Sequence, residues 1–221
     1  MADPPTYDLD VFVDPACPFC WITTRWVENV RTQRDYNVRW RWISLRLINE
    51  ANGYPPSYDE KGKKIHAAAL KGLRVLDAVR ENYGNEAVAA AYAAFGTAIH
   101  VDRRRDEMVA EPERFFAEAL CAAGYSESEA AKLAADVDDE SHDATIRAEG
   151  ELAFELTGPG VGTPVLTFTP DSDQPRSLFG PVISKAPRGD EAVRLWDAVE
   201  TLASSGVAEI KRSLRDPLDF T

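Results

Sequence analysis

A Cys-Pro-Phe-Cys motif at residues 17–20 stands where a strand pattern ends and a helix pattern begins, and this position constrains the fold more than any other feature. Before the motif, residues 7–13 have the alternating pattern typical of a strand. After it, apolar residues recur at helical spacing to about Arg34, and a second strand pattern covers residues 38 to about 45. The sequence therefore predicts a strand–helix–strand unit with the cysteine pair at the start of its helix.

The middle of the chain carries helix patterns only. A turn-rich loop is predicted for residues 49–58, and helices then follow one another as far as Leu156. Pro112 suits the first turn of one helix, and Ser126 with Glu129 forms a capping-box pattern that opens the next. These signals predict a long all-helical segment.

Strand patterns return after this segment. Residues 164–168 predict a strand, residues 177–179 predict its hairpin partner, and an amphipathic helix begins near Asp190. The residues after Ser205 have no clear pattern. The predicted order is β-α-β, a block of helices, then β-β-α.

Composition limits where the chain works and what it binds. Of its 221 residues, 44% are hydrophobic and 28% are charged, as in an ordinary soluble protein. The net charge of −12 disfavours nucleic acid and anionic membranes as partners. Residues 1–5 lack the pattern of a secretory signal, and no apolar run approaches the ~20 residues that span a bilayer. We therefore expect a cytoplasmic protein.

The position of the cysteine pair predicts a reactive dithiol. The first turn of a helix has unpaired N–H groups and the positive end of the helix dipole, and both stabilise a thiolate. The second cysteine follows three residues later, so it can attack a mixed disulfide formed by the first. Cys17 is therefore the predicted attacking thiol, and Cys20 is the predicted resolving thiol.

Two other interpretations of the pair remain open. A zinc site needs further soft or imidazole ligands, and the candidates, which show no paired spacing, are Cys121, His66, His100 and His142. Because these candidates are not paired in the sequence, we expect no metal. Alternatively, both cysteines are unreactive core residues, which their place in the first turn of a helix disfavours.

A second signal is the Thr163-Pro164 step, where a proline opens a predicted strand. Bonds that precede proline adopt the cis form far more readily than other peptide bonds. A cis-proline opposite the dithiol would present the backbone of Thr163 to an extended substrate without adding an N–H donor beside the sulfur. The alternative is an ordinary edge-strand proline.

Several motifs together resemble a known family. They are Asp14 to Thr23 around the cysteine pair, Leu47 to Glu50, Ile99-His100, Gly162 to Pro164, Phe179 to Val182, and Pro187 to Ala192 with Leu195 to Asp197. The chain resembles the DsbA-like branch of the thioredoxin superfamily, and within it the mycothiol-dependent reductases, some of which are described as nitroreductases. The resemblance extends from Val11 to about Leu202.

The resemblance implies an α/β thioredoxin-like fold with a large all-helical insertion between the second strand and the cis-proline strand. The thioredoxin-like domain would comprise residues 1–56 and 159–221, and the insertion residues 57–158. The implied activity is thiol–disulfide exchange, with a low-molecular-weight thiol such as mycothiol as electron donor, no tightly bound cofactor, and nitroaromatic compounds as further substrates. A small thiol and a disulfide or other small molecule are the implied partners.

The resemblance also implies roles for single residues. Cys17 and Cys20 would be catalytic, and substrate would contact Pro18, Phe19, Trp21, Asn49, Tyr58, His100, Thr163 and Pro164. Phe19 stands where this group usually has tryptophan, a departure that bears on reduction potential and on stacking with aromatic substrates.

Some of these residues also have plain structural explanations. Trp21 would equally serve to pack the first helix, and His100 would serve as a hydrogen-bonded residue at a helix end. Asn49 has the character of a turn residue. Cys121 is expected to be a small buried hydrophobic residue.

Two other functions on the same fold stay open. One is isomerase or transferase chemistry with a glutathione-like cofactor, although such relatives commonly have serine in place of the first cysteine. The other is a redox-responsive or metal-binding chaperone, which would use the outer surface of the insertion. The sequence does not determine the oligomeric state.

Overall fold

A mixed sheet organises the chain, whose computed structural model describes residues 6–56 and 58–220. Its strands are β1 (Leu9–Val13), β2 (Val38–Trp42), β3 (Val165–Phe168) and β4 (Arg176–Phe179), in the spatial order β2-β1-β3-β4. β1 is parallel to β2 and antiparallel to β3, which is antiparallel to β4. Val11 pairs with Trp40 on one side and with Leu166 on the other. Strands that are distant in the sequence are thus joined across β1.

β1 is buried on both faces, and Asp10 is the one polar residue in its sequence. Asp10 is buried in this central strand, where its carboxylate accepts hydrogen bonds from Arg39 (2.7 Å) and Arg41 (3.1 Å) of β2. These two cations compensate the charge and allow a polar residue in a strand that is covered on both sides.

Two helices flank β2 in the sequence. They are α1 (Pro18–Arg31) and α2 (Leu45–Asn52). The prediction of a loop from Asn49 is wrong, because helix continues to Asn52 and the loop begins at Gly53. The Ser44 hydroxyl caps α2 by accepting a hydrogen bond from the N–H of Leu47. Asn49 stays helical because its side-chain amide donates to the carbonyl of Leu45 (2.7 Å).

The segment between β2 and β3 is helical after this loop. Its elements are α3 (Glu60–Tyr83), α4 (Asn85–Gly96), a π-helical turn (Thr97–Val101), α5 (Arg105–Ala110), α6 (Pro112–Ala122), α7 (Glu127–Ala134), two 3₁₀ turns (Ala135–Asp138 and Glu140–His142) and α8 (Asp143–Thr157). The predicted start at Pro112 and the capping box of Ser126 and Glu129 are confirmed, whereas the separate helix α5 had no sequence signal. Within the described part of the chain, each helix is too short or too polar to cross a lipid bilayer.

The division into two domains stays a prediction. Ser57, at its first boundary, and residues 1–5, on which the expectation about a secretory signal rested, lie outside the described residues.

A buried polar network fastens the helical segment to the sheet. Asp77 of α3 accepts hydrogen bonds from the indole N–H of Trp42 (2.8 Å) and from Arg80 (2.6 Å), and its second oxygen lies 2.9 Å from Nδ1 of His142. Glu149 of α8 accepts from the backbone N–H of Trp42 (2.8 Å). β2 is thereby held by α3 and α8 of the helical segment.

The final helix, α9 (Gly189–Ser204), packs against α1. The indole N–H of Trp26 donates to the carbonyl of Ala192 (2.9 Å), and the rings of Trp26 and Trp196 lie 5.3 Å apart. Residues 207–220 then continue without helix or strand, and their last part lies against the end of the molecule that carries the cysteine motif.

Candidate active site

The two cysteines lie at the junction of β1 and α1. Cys17 is the N-cap of α1, and its Sγ accepts a hydrogen bond from the N–H of Cys20 at 3.4 Å. Pro18 occupies the first helical position, where its missing N–H leaves no hydrogen bond unmade. Cys17 is 5% exposed and Cys20 is fully buried. The sequence thus places a nucleophile directly at the positive end of a helix, with a second thiol behind it.

The surroundings of the two thiols move their pKa values in opposite directions. Burial raises the pKa of Cys17, but hydrogen bonds from the side chains of Cys20 and Thr163 outweigh it and hold this pKa below its ordinary value. Burial, together with the hydrogen bond and charge of Cys17, raises the pKa of Cys20 well above its ordinary value. The arrangement favours one thiolate at Cys17 and one protonated thiol at Cys20.

The Thr163–Pro164 step lies beside the sulfur of Cys17. The peptide bond is cis, and the carbonyl oxygen of Thr163 is 3.8 Å from Sγ of Cys17. The carbonyl of Pro164 accepts from the N–H of Gly180 (2.8 Å), which holds the start of β3 against the loop after β4. Residues 17 and 163, remote in the sequence, therefore form one site.

Asp14 is a buried carboxylate behind this site that the sequence analysis did not single out. One oxygen accepts from the N–H of Ala16 (2.7 Å), and the other accepts from the N–H of Leu45 (2.8 Å). Burial raises the pKa of Asp14 to about 6, against the lowering effect of these hydrogen bonds. Asp14 thus fixes the turn that precedes Cys17 and ties it to the start of α2. The sequence signal that could have identified Asp14 as a site residue is its position between a buried strand and the cysteine motif.

His100 packs under the motif from the π-helical turn. Its Nε2 is 2.9 Å from the carbonyl oxygen of Pro15, and its Nδ1 is 2.9 Å from a guanidinium nitrogen of Arg105. A carbonyl only accepts and a guanidinium only donates, so the ring is neutral with its proton on Nε2. Burial, with the nearby charge of Arg105, lowers the pKa of His100 to about 4. His100 therefore positions the turn before Cys17 and carries no charge at neutral pH.

Trp21 is a packing residue in this structure. It is buried, its ring stacks at 6.1 Å from that of His100, and the guanidinium of Arg25 lies 4.5 Å from the ring centroid. Burial lowers the pKa of Arg25. Trp21 thus joins the active-site helix to the helical segment, the structural role that its sequence also allowed.

Tyr58 lies at the surface near the dithiol, 39% exposed. Its ring contacts those of His66 (5.1 Å) and Tyr54 (5.8 Å). Burial raises the pKa of Tyr58, and the nearby charge of Cys17 adds to this. These residues form an aromatic wall on the side of the site that faces α3.

The remaining predicted residues are distributed differently. Pro18 and Phe19 are half-buried at the surface of the motif, and the amide of Asn49 is engaged within its own helix. The prediction that Cys121 is buried is wrong: Cys121 lies on the exposed side of α6, because neighbouring positions such as Leu120 take the buried side.

The site also contains residues for which the sequence had no signal. Phe220 and Arg215, from the unassigned end of the chain, contact His100 and Phe19 respectively.

The zinc interpretation can be compared with the arrangement of potential ligands. Among residues 6–56 and 58–220, Asp77, Glu81 and His142 come close enough together to hold a cation, and this group includes neither cysteine of the motif.

Comparison with known proteins places this site in a family. A family model described as Rv2466c-like, mycothiol-dependent nitroreductase Rv2466c, matches residues 16–212. The chain belongs to this family. The match includes both cysteines, the Thr163–Pro164 step and the whole helical segment. The Rv2466c-like assignment confirms the resemblance inferred from the motifs.

The individual proteins that match share low sequence identity with this chain. Protein Rv2286c of Mycobacterium tuberculosis strain H37Rv is 28% identical over 212 residues, covering 96% of this chain and 84% of that protein. Two solved structures share the fold. The cytosolic disulfide reductase DsbM from Pseudomonas aeruginosa, solved with GSH, is 15% identical with a TM-score of 0.56, covering 87% of this chain and 98% of that one. A candidate protein disulfide isomerase from Nitrosomonas europaea is 14% identical with a TM-score of 0.55, covering 92% and 100%.

These comparisons confirm the predicted fold class, a thioredoxin-like fold with a helical insertion. As a member of the Rv2466c-like family with a Cys17–Cys20 dithiol, the chain is a thiol–disulfide oxidoreductase.

Proposed function

We propose that the chain reduces disulfides of small molecules with the Cys17–Cys20 dithiol and is itself reduced by a low-molecular-weight thiol, mycothiol. The observation that carries the proposal is the opposite shift of the two cysteine pKa values beside the backbone of Thr163. A thiolate at the surface side and a protonated thiol behind it are what successive thiol–disulfide exchange requires. We place the reaction in the cytoplasm, where small thiols keep such dithiols reduced.

Reduction of the substrate, in which the enzyme dithiol is oxidised, consists of two exchanges. The thiolate of Cys17 attacks one sulfur of the substrate disulfide, forms a mixed disulfide, and releases the other sulfur as a thiolate that takes up a proton. Cys20 then loses its proton and attacks Sγ of Cys17, which releases the second substrate thiol and leaves a Cys17–Cys20 disulfide. One substrate disulfide becomes two thiols, and the enzyme dithiol becomes a disulfide.

Two small thiols restore the enzyme. The first attacks Sγ of Cys17 and expels Cys20, and the second attacks the small-thiol sulfur of that mixed disulfide and expels Cys17. The two donors leave as one disulfide. Cys17 is the point of attack because Cys20 is fully buried.

Neighbouring residues have distinct roles in this proposal. Thr163 aligns the substrate at Cys17, and Phe19 and Tyr58 contact it at the mouth of the site. Trp21 and His100 support that surface from below. Arg105, whose charge interacts with that of Cys17, supplies the positive charge that neutral His100 does not. Asn49 supports the turn indirectly, through α2 and its contact with Asp14.

Mycothiol is proposed because the matching family is described as mycothiol-dependent, and that description also names nitroreduction. The dithiol holds two electrons and two protons, which suffice to convert a nitro group to a nitroso group and water while Cys17 and Cys20 form a disulfide. We therefore include nitroaromatic compounds as a second substrate class.

A trapping experiment tests the electron donor. In a Cys20→Ser chain that also carries Cys121→Ser, resolution is blocked and the exposed third thiol is absent. Incubation with oxidised mycothiol should yield a Cys17–mycothiol disulfide, detected by mass spectrometry as one adduct per chain. The matched control, Cys17→Ser with Cys121→Ser, should yield none. An adduct that forms with oxidised glutathione but not with oxidised mycothiol would overturn the choice of thiol.

A further inference from the structure

The end of the chain lies across the active-site surface. We call residues 215–220 the strap. Phe19 lies between the two cysteines in the sequence of the motif. The guanidinium of Arg215 lies 4.9 Å from the centre of its ring. Such a cation over an aromatic face is an attractive contact. The strap thus begins on the exposed side of the dithiol.

The other end of the strap contacts residues that support the motif. The ring of Phe220 lies 5.6 Å from that of His100, and its carbonyl oxygen is 3.5 Å from the indole nitrogen of Trp21. Phe220 therefore extends the Trp21–His100 stack by one more ring. From Arg215 to Phe220, the strap thus contacts Phe19 of the motif at one end and the Trp21–His100 stack at the other.

The strap is anchored between these contacts. The N–H of Asp219 donates to the carbonyl of Ser184 (2.8 Å), and its carboxylate pairs with Lys185 (2.8 Å). Leu218 is half-buried against the main core. By contrast, Leu214, just before the strap, is 81% exposed. Residues 214–217 are exposed, so the anchored part of the strap begins at Leu218.

The strap also lies beyond the family match, which ends at residue 212. The dithiol and the Thr163–Pro164 step, by contrast, fall within the matched region.

We propose that the strap sets the size of substrate that reaches Cys17, admitting small disulfides and excluding those of proteins. This inference rests on the proposed function, because it specifies which disulfides that dithiol reduces. A protein substrate has to lay its chain over Phe19 to bring a disulfide to Cys17, and the strap already occupies that surface. A small disulfide needs to reach only the sulfur of Cys17, beside the backbone of Thr163.

The test releases the strap in the full-length chain. Leu218→Ser removes an apolar anchor, and Leu214→Ser makes the same change four residues earlier, where the side chain is solvent-exposed. Each variant and the parent, reduced beforehand, is mixed with hydroxyethyl disulfide or with insulin. The rate of dithiol oxidation is then followed in a single turnover.

We expect Leu218→Ser to raise the insulin rate about tenfold, since losing a half-buried leucine shifts an open–closed equilibrium by about that factor. The rate with hydroxyethyl disulfide should stay within about twofold of the parent, and Leu214→Ser should match the parent with both substrates. An unchanged ratio of insulin to small-disulfide rates would overturn the role of the strap. So would an equal loss of both rates, since it would make the strap part of the site itself.

A second variant and a direct probe guard against a folding defect. Phe220→Ala removes the ring contact with His100 without adding a polar group, and it should raise the insulin rate in the same direction. Trypsin should cleave after Arg215 faster in Leu218→Ser than in Leu214→Ser if the strap is released. Equal cleavage in the two would contradict the proposed anchoring. Failure of the parent to reduce hydroxyethyl disulfide with mycothiol as donor would instead count against the proposed function.

Discussion

The indole of Trp21 lies so close to Gly96 that a Cβ added to this glycine would fall 2.0 Å from Cε3 of the ring. Gly96 ends α4 with ordinary helical backbone angles, so space and not conformational freedom requires glycine here. This contact brings α4, and the turn with His100 that follows it, against the active-site helix. The close packing of α4 against α1 thus depends on the lack of a side chain at Gly96.

Gly96→Ala should destabilise the protein by about 1–3 kcal/mol, because the bulky indole has to move to make room. The free energy of unfolding in urea measures this. Gly150→Ala is the matched control, since nothing lies within 4 Å of its Cβ position in α8. It should be neutral or stabilising by up to about 1 kcal/mol, from the higher helix propensity of alanine. Equal effects of the two substitutions would contradict the packing argument.

The two thiols should differ in reactivity. In a Cys121→Ser background, Cys17 should be alkylated by iodoacetamide well below pH 8.5, about the ordinary pKa of a thiol. Hydrogen bonds from the side chains of Cys20 and Thr163 outweigh burial and lower its pKa, whereas burial raises the pKa of Cys20. Cys20 should react only after unfolding. Rates followed by mass spectrometry from pH 5 to 10 check this, and a Cys17 midpoint at or above pH 8.5 would refute it.

Asp14 and His100 should affect pH stability in opposite directions. Burial raises the pKa of Asp14 from 3.8 to about 6, so the folded state binds the proton more tightly and stability falls as pH rises across this range. Burial lowers the pKa of His100 from 6.5 to about 4, so the unfolded state binds the proton more tightly and stability rises with pH from 4 to 6.5. Each shift corresponds to roughly 3 kcal/mol. The two contributions nearly cancel.

Removing either group should reveal the other. As the pH rises from 4 to 6.5, the unfolding free energy of Asp14→Asn should increase by on the order of 3 kcal/mol, because only the contribution of His100 is left. As the pH rises from 4 to 6, that of His100→Gln should decrease by a similar amount, because only the contribution of Asp14 is left. Urea unfolding at half-unit pH steps gives both slopes. Slopes of the same sign in the two variants would show that the assignment of opposite shifts is wrong.

Asp77→Asn should cost about 3 kcal/mol in unfolding free energy, because an amide cannot accept from Trp42, Arg80 and His142 together. Asp138→Asn is the comparison. That carboxylate is 74% exposed and pairs with Lys71 on the surface, so its loss should cost less than about 1 kcal/mol. A cost for Asp77→Asn as small as that for Asp138→Asn would mean that the network does not secure the insertion.

Local patterns were sufficient for the elements that carry their own end signals. The capping box at Ser126, the proline at 112 and the strand before the motif are all formed by residues close together in the sequence. Asn49 misled the prediction because turn residues are tolerated in a helix when their side chains bond back to it.

The site was predictable where chemistry is encoded in neighbouring residues, as at Cys17 and Cys20. It was not predictable where the deciding contacts are distant. The neutrality of His100 depends on Pro15 and Arg105, and the burial of Asp14 depends on the start of α2. Phe220 and Arg215 lie in a segment without periodicity, which leaves no local pattern to indicate where they bind.

The register of the sheet has a consequence for synthesis of the protein. Val11 of β1 pairs with Leu166, which follows it by 155 residues. At translation rates of about 5–20 residues per second, the ribosome takes roughly 8 to 30 s to add that stretch. During this interval the β1 edge that β3 later covers has no native partner, so it is open to pairing with other chains. The helices of the insertion, whose contacts are more local, can form while that edge is still open.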